Sequence, residues 1–524
     1  MTDPALPRPF WRLRPQPVLP AWLQALSLRR ALAACALWLG LLGLLGLLAG
    51  AAHAQTAPEL SAAEAQRDLR ILQRALTELH PGLYRYATPA QIAAEFDAAQ
   101  AAVAQGASRA QMVLLASRIA AAVRCGHTWV SRYNQSPSVQ AVVTRLTLPL
   151  VLRWVEGRVL VLASAVPEIA AGSELTAIDG RTPAEIAAAL LPYLRADGSA
   201  DGKRLSQLDD DDNGGAMQRL FPLLFPPGDG GWRVRVLPAR ASAAERTVAV
   251  PPMTATQRSA ALKAAGYSAP STAWGLTIDG GLAVMTLPTF ALWDRAFDGT
   301  AWLSQAFARL AEQQVRQLII DLRTNEGGND GFGRTLVAHL LAAPFTQQGG
   351  RRESAYERVP YVLARFLETW DFGFFDRTGQ VSKGPGRNWL MPELEPVLIV
   401  PASPRFAGQV LALVGPQNSS AGFLLARDLQ RSGAATLMGQ PTGGSLRGLN
   451  GGQIAWLTLP ASGVAVDIPL VATFAPGEPP DAGVTPDVLV LPRFADAQAG
   501  RDTTLEAARA LLQREAQRRG GGTR

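Results

Sequence analysis

Three short stretches hold the residue types that reactions most often need. "AAVRCGHTWV" at 121–130 places His127 where a helical pattern stops and a Thr-Trp-Val run begins, in a chain with only four histidines. "LALVGPQNSSAGFLLARDL" ends a strand near Ser419 and opens a helix at Ser420, and "LIIDLRTNEGGNDG" releases an apolar run into Gly327-Gly328. A serine at a strand-to-helix turn sits where helix N-terminal amides point outward and favour negative charge developing beside it. Imidazole is the side chain whose unperturbed pKa lies nearest neutral pH, which suits it to take and return a proton. Each stretch has a plainer alternative: Ser419 or Ser420 only caps its helix, and His127 only fixes a junction by hydrogen bonds.

Other candidates fall away on their surroundings. Cys125 stands two residues from His127, but a thiol and imidazole so close in sequence splay apart and no Gly-rich turn adjoins them, so a buried structural cysteine is expected. His80 precedes Pro81 and reads as a helix-end or packing residue, while His339 lies in the apolar "LVAHLLA" and reads as a core or interface histidine. With so few histidines and no thiol pair, no metal site is expected, nor any cofactor. "GGNDGFGRT" lacks the Lys of a phosphate-binding loop and the rest of a dinucleotide fingerprint. The "DDDDNGG" run at 209–215 imitates a calcium loop but has Leu220 where a bidentate Glu is required, so it reads as a solvated acidic loop. No G-x-S-x-G elbow surrounds Ser420, which disfavours an ordinary α/β-hydrolase esterase.

The elements that must position these residues follow an N-terminal leader. Arg29-Arg30 precede an uncharged apolar run of about 22 residues that closes on Ala52-His53-Ala54, the form of a secretory signal. Left uncleaved, the run is long enough to anchor the chain in a membrane. Residues 1–54 are therefore expected to be a signal peptide or signal anchor. The rest is expected outside the cytoplasm, periplasmic or extracellular, touching a membrane only if the leader stays uncleaved. The "LAAC" at 32–35 has no apolar core before it, which argues against lipidation at Cys35. Removing the leader lowers the formal charge of +7 to about +3, and no nucleic-acid surface is indicated.

At 524 residues and 48% apolar composition, the chain is expected to form two or three packed domains. Residues 55–135 read as a helical domain: Ser61-x-x-Glu64 is a capping box before Leu69, Leu72, Leu76 and Leu79, a second helix starts at Thr88-Pro89, and a third starts near Ser108. Residues 136–265 turn to short β-like runs with a Gly turn, a strand through Ile178 and a helix after Thr182-Pro183. That stretch resembles part of a PDZ-type peptide-binding module, an unrelated mixed α/β insert being the alternative. Residues 266–524 alternate strands and helices, including a helical stretch from Trp293 to Gln313, and imply an α/β layer fold with a mostly buried sheet.

The order of strand, "DLRTNEGG", strand, "SSAG", helix, "GQPTGG", "GVTPDVLV" and "GRDTTLEAA", together with "LHPGLYRY" and "CGHT", resembles the C-terminal processing (tail-specific) serine peptidases, including relatives of the tricorn core protease. The resemblance implies a ClpP/crotonase-like core. It implies Ser420 as nucleophile, with backbone amides of Gly327 or Gly328 and of Ala421 holding the oxyanion. One branch of the family uses a lysine past a "G-E-P-T" turn. Here the matching position is Ser445, and Lys203, Lys263 and Lys383 lie in no such motif. The other branch takes its base from a "GHT"-like motif, which implies His127. Its members place an acidic residue shortly before "GV-x-PD". Glu478 and Asp481 both stand there, Asp481 the nearer, and the choice stays open. The function implied is hydrolysis of peptide or unfolded-protein substrates. A non-catalytic ligand-binding protein on the same fold and a small-ester hydrolase are the alternatives, and the oligomeric state is left open.

Overall fold

The computed structural model describes residues 58–209, 215–239, 244–293 and 296–521. The leader lies outside the described residues, as do 210–214 of the acidic run.

The chain enters through three helices, α1 (Ala62–Leu79), α2 (Pro89–Ala102) and α3 (Arg109–Ala122). Side chains of Ser61, Thr88 and Ser108 each accept from the backbone N–H three residues on, and Glu64 and Gln91 complete reciprocal capping boxes. The leucines expected to face inward on α1 are all buried. After α3 the chain leaves through Arg124, whose φ of 57° breaks the helix just before Cys125.

A five-stranded antiparallel meander follows: β1 (Leu150–Val155), β2 (Arg158–Ser164), β3 (Glu174–Ile178), β4 (Trp232–Leu237) and β5 (Arg246–Val250). Strand β4 alternates buried and exposed residues, the mark of a sheet with one face against a core. The helix Pro183–Leu190 lies in the β3 to β4 connection, entered through a Thr182 capping box. One apolar core joins α1–α3 to this sheet and to two later strands, so the helices and the meander bury their faces together.

The remaining chain builds a six-stranded sheet around the site. Its strands are β6 (Gly275–Asp279), β7 (Leu282–Thr286), β8 (Gln317–Asp321), β9 (Gln409–Val414), β10 (Thr436–Gly439) and β13 (Val488–Leu489), in the order β13-β10-β9-β8-β7-β6. Strands β11 (Ile454–Thr458) and β12 (Ala465–Pro469) pair elsewhere, within the first core. All neighbours in the six-stranded sheet run parallel except the β6/β7 hairpin. Helices α4 (Gly299–Glu312), α5 (Asp330–Leu340) and α6 (Ser420–Ser432) cover one face through Phe307, Leu336 and Leu425, and α7 (Thr503–Gly521) covers the other through Ala508 and Leu512. The architecture is mixed α/β. Helix α4 starts at Gly299 rather than near Trp293, because the Asp298 carboxylate accepts from Ala301 N and caps it there.

Candidate active site

Strands β8 and β9 end side by side, and each releases its chain into a turn at the same edge. Asn418 ties the two turns together: its Nδ2 donates to the carbonyls of Leu322 and Asn325, and its Oδ1 accepts from Gly415 N. Past β8, Gly327 has φ 110° and Gly328 φ 133°, both in the region that favours glycine. A Cβ on Gly327 would come within 2.8 Å of Ser420 Cβ and Ala421 N, and one on Gly328 within 2.0 Å of Phe290 C. Only glycine permits that approach.

Ser420 begins α6 with φ 49°, a conformation that costs a non-glycine residue free energy. Strand β9 feeds α6 through this sharp turn, and Ser420 lines a cleft there. Helix capping does not account for the pair. Ser419 is the N-cap residue but makes no capping bond, and its Oγ donates to Glu326 O instead, at 3.1 Å.

Two of the three glycine-turn and helix amides considered from sequence stand apart from the third. Gly327 N donates to Asn325 Oδ1 at 2.8 Å and is committed to holding the turn. Gly328 N and Ala421 N enter no such bond among the described residues.

His127 lines the same cleft as Ser419, Ser420, Gly327 and Gly328, a volume of about 1080 Å³ between the meander side and the six-stranded sheet. Its ring packs on Gly451, where a Cβ would come within 3.2 Å of Nε2. The loop that carries it is gripped from several sides. Thr128 Oγ1 bonds His80 Nε2 at 2.9 Å, both residues fully buried. Trp129 O accepts from Asp467 N of β12 at 2.9 Å. Burial, with Arg387 and Arg85 nearby, lowers the His80 imidazole to about 3, so it stays neutral. His80 also ends α1, as expected from its Pro81 neighbour, and His339 is buried, stacked on Phe307 with Nδ1 against Pro404 O.

Asp197 is the carboxylate behind His127, and no sequence motif marks it. It is 2% exposed, and its Oδ1 accepts from Gly126 N at 2.8 Å. Its Oδ2 and His127 Nδ1 are both buried without a hydrogen-bond partner. Burial lowers the His127 pKa, Asp197 opposes this, and Arg195 and Lys203 reinforce it. The result is an imidazole that is neutral at neutral pH, the form able to accept a proton.

The two acids expected from sequence lie elsewhere. Glu478 is exposed and lines a second cleft beside Arg447 and Phe474. Asp481 accepts from Ser199 N through Oδ1 at 3.2 Å, and its carbonyl accepts from Ser199 Oγ at 2.7 Å. Asp481 thus braces the loop that carries Asp197, and neither acid lines the His127 cleft. Ser445, at the position of the other branch's lysine, is 1% exposed. Lys203, set aside for want of a motif, is buried at the site and bonded to Glu326. Cys125 is 1% exposed, and burial pushes its thiol pKa up.

Residues 281–490 match the model of peptidase family S41. Mature CPAF, in a structure complexed with lactacystin, is similar over 87% of this chain and 98% of that chain, at 14% identity and a TM-score of 0.59. The photosystem II D1 C-terminal processing protease matches 81% of this chain and 92% of its own, at 17% identity and a TM-score of 0.34. The tricorn protease matches 86% of this chain and 37% of its own, at 13% identity and a TM-score of 0.34. No curated protein matches the chain.

Proposed function

We infer that this chain, a serine-type peptidase of family S41, hydrolyses peptide bonds with Ser420 as nucleophile and His127 as general base. The observation that carries this reading is the shared cleft: a serine held at φ 49° on a strand-to-helix turn and a neutral imidazole from the front of the chain open into one cavity.

The chemistry runs from those groups. His127 Nε2 takes the Ser420 hydroxyl proton as Oγ attacks the substrate carbonyl carbon. The carbonyl oxygen gains the negative charge, and Gly328 N and Ala421 N donate to it beside the α6 N-terminus. Asp197 stabilises the imidazolium and holds the ring in the tautomer with its proton on Nδ1. The imidazolium returns its proton to the leaving amine, and water then releases the acyl group by the same exchange in reverse. Asp197 takes the role that the sequence divided between Asp481 and Glu478.

The wider reading adds three parts. The catalytic domain at 266–524 is ClpP/crotonase-like, preceded by a helical domain at 55–135 and a PDZ-like or mixed α/β module at 136–265. The leader sends the chain out of the cytoplasm, with membrane contact only where it remains attached. The substrate is a peptide or unfolded protein, the class on which a peptidase acts.

A fluorophosphonate probe tests the core of the proposal. Covalent capture at Ser420 that is lost in His127→Ala supports it. Capture at another residue, or equal capture in the variant, sinks it. Turnover of small esters without turnover of peptides would move the assignment to an esterase.

A further inference from the structure

One ionic bridge spans the chain segments that carry the proposed base, nucleophile and oxyanion turn. Glu326 stands immediately before Gly327. Its Oε2 accepts from Arg195 Nη2 at 3.1 Å, its Oε1 from Lys203 Nζ at 2.5 Å, and its main-chain carbonyl from Ser419 Oγ at 3.1 Å.

Each cation holds another part of the site. Arg195 Nη1 donates to Gly126 O at 2.6 Å, and its guanidinium lies 3.8 Å from the centre of the Trp129 ring, so it grips the loop on both sides of His127. Lys203 Nζ donates to Gln417 O at 3.2 Å, three residues before Ser420. The Lys203 side chain is only 2% exposed. An ammonium so buried persists only beside a compensating charge, and Glu326 supplies it. Desolvation alone would raise the Glu326 carboxyl, but Lys203 and Arg195 override this and bring it down to about 2. Glu326 is therefore ionised throughout the neutral range, and its charge favours the Lys203 ammonium that burial disfavours.

We propose that Glu326 is a positioning residue for the peptidase reaction: through Arg195 it fixes the His127 loop, through Lys203 it fixes the approach to Ser420, and it sets both against the oxyanion turn. The inference rests on the Ser420 and His127 assignment above. A salt bridge that only stabilised the fold would not distinguish one part of the site from another. This one has a directional signature. The charged groups facing the imidazole are Asp197, Arg195, Lys203 and Glu326, and the neutral His80 and Cys125 pack nearby. Glu326 favours the imidazolium, whereas Lys203 and Arg195 disfavour it. Removing the Glu326 charge must then shift the imidazole titration to lower pH, and removing the Lys203 charge must shift it to higher pH.

The test uses the full chain as wild type, Glu326→Gln, Lys203→Met and the double variant. Two quantities are read: the pH dependence of fluorophosphonate capture at Ser420, and the His127 imidazole titration by NMR, which needs no turnover. Glu326→Gln is expected to slow capture about tenfold or more. It should move the acid limb down by roughly half a pH unit or more, while Lys203→Met moves it up and the double variant falls between. Unchanged capture in Glu326→Gln, or shifts in the same direction in both single variants, overturns the proposal. Should Glu326→Gln fail to fold, Glu326→Asp keeps the charge on a shorter arm; it should keep the acid limb and still lose rate, and a full rate would overturn the proposal. If the wild type is not captured at Ser420, the functional reading fails, and the imidazole titration still decides whether the bridge is coupled to His127.

Discussion

Asp197 holds Gly126 N through one carboxylate oxygen at 2.8 Å and leaves the other buried and unpartnered behind His127. An unpaired buried carboxylate oxygen is costly, so a donor is expected there in the working enzyme, and His127 Nδ1 is, with the Tyr86 hydroxyl, among the unpaired buried groups coupled to Asp197. Asp197→Asn keeps an acceptor for Gly126 N and removes the charge. The expected result is a loss in kcat of about a hundredfold or more. The acid limb of kcat/KM should also shift to lower pH, because Asp197 opposes the burial that lowers the imidazole. Glu478→Gln should stay near wild type. Kinetic profiles of both variants check this, and the reverse ranking would restore Glu478, one of the two acids expected from sequence.

Gly451 sets the imidazole from the other side. Its backbone is not in the left-handed region, so Gly451→Ala brings only a methyl group within 3.2 Å of His127 Nε2. The ring must yield by a few tenths of an ångström. Turnover is expected to fall about tenfold with little change in melting temperature. Wild-type turnover would show that the imidazole does not work from this position.

Ser419 and Ser420 differ in what their hydroxyls already do. Ser420→Ala should abolish probe capture. Ser419→Ala loses the contact to Glu326 O and should slow capture only about tenfold or less, with the label still on Ser420. Mass spectrometry of the labelled peptide separates the two.

Asp467 makes stability depend on pH. Burial pushes its carboxyl from 3.8 up to about 7, despite the hydrogen bond from Asn134 and the nearby Arg195. The folded chain thus binds more protons than the unfolded chain between those values. The contribution is complete below the lower value and is lost as pH rises through the upper one. Asp467→Asn stays neutral, so its unfolding free energy should fall less between about pH 4 and pH 7.5 than that of wild type. Urea unfolding across that range measures the difference, and parallel curves would count against it.

Local signals in the chain were enough for the frame. Capping residues at Ser61, Thr88, Ser108 and Thr182 each mark a real helix start, since a cap is a bond between near neighbours. Helix α4 starts later than the expected Trp293, because Asp298 supplies the cap. The turns expected at Gly327-Gly328 and Ser420 are present with positive φ, because a Gly pair and a strand-to-helix junction are local features. Asp197 and Lys203 were not legible. Asp197 lies in an irregular segment after Tyr193 and Lys203 in the short helix Asp201–Ser206, and only tertiary packing makes Asp197 meet Gly126 or Lys203 meet Glu326.

The cleft draws on His127, Glu326, Ser420 and Gly451, with Asp197 bonded to Gly126 at its wall, and these enter from stretches scattered across most of the described chain. During synthesis the imidazole leaves the ribosome long before the hydroxyl, and the glycine beneath the ring comes later still. On the proposed assignment, a partly made polypeptide holds the base without its nucleophile until most of the length has emerged.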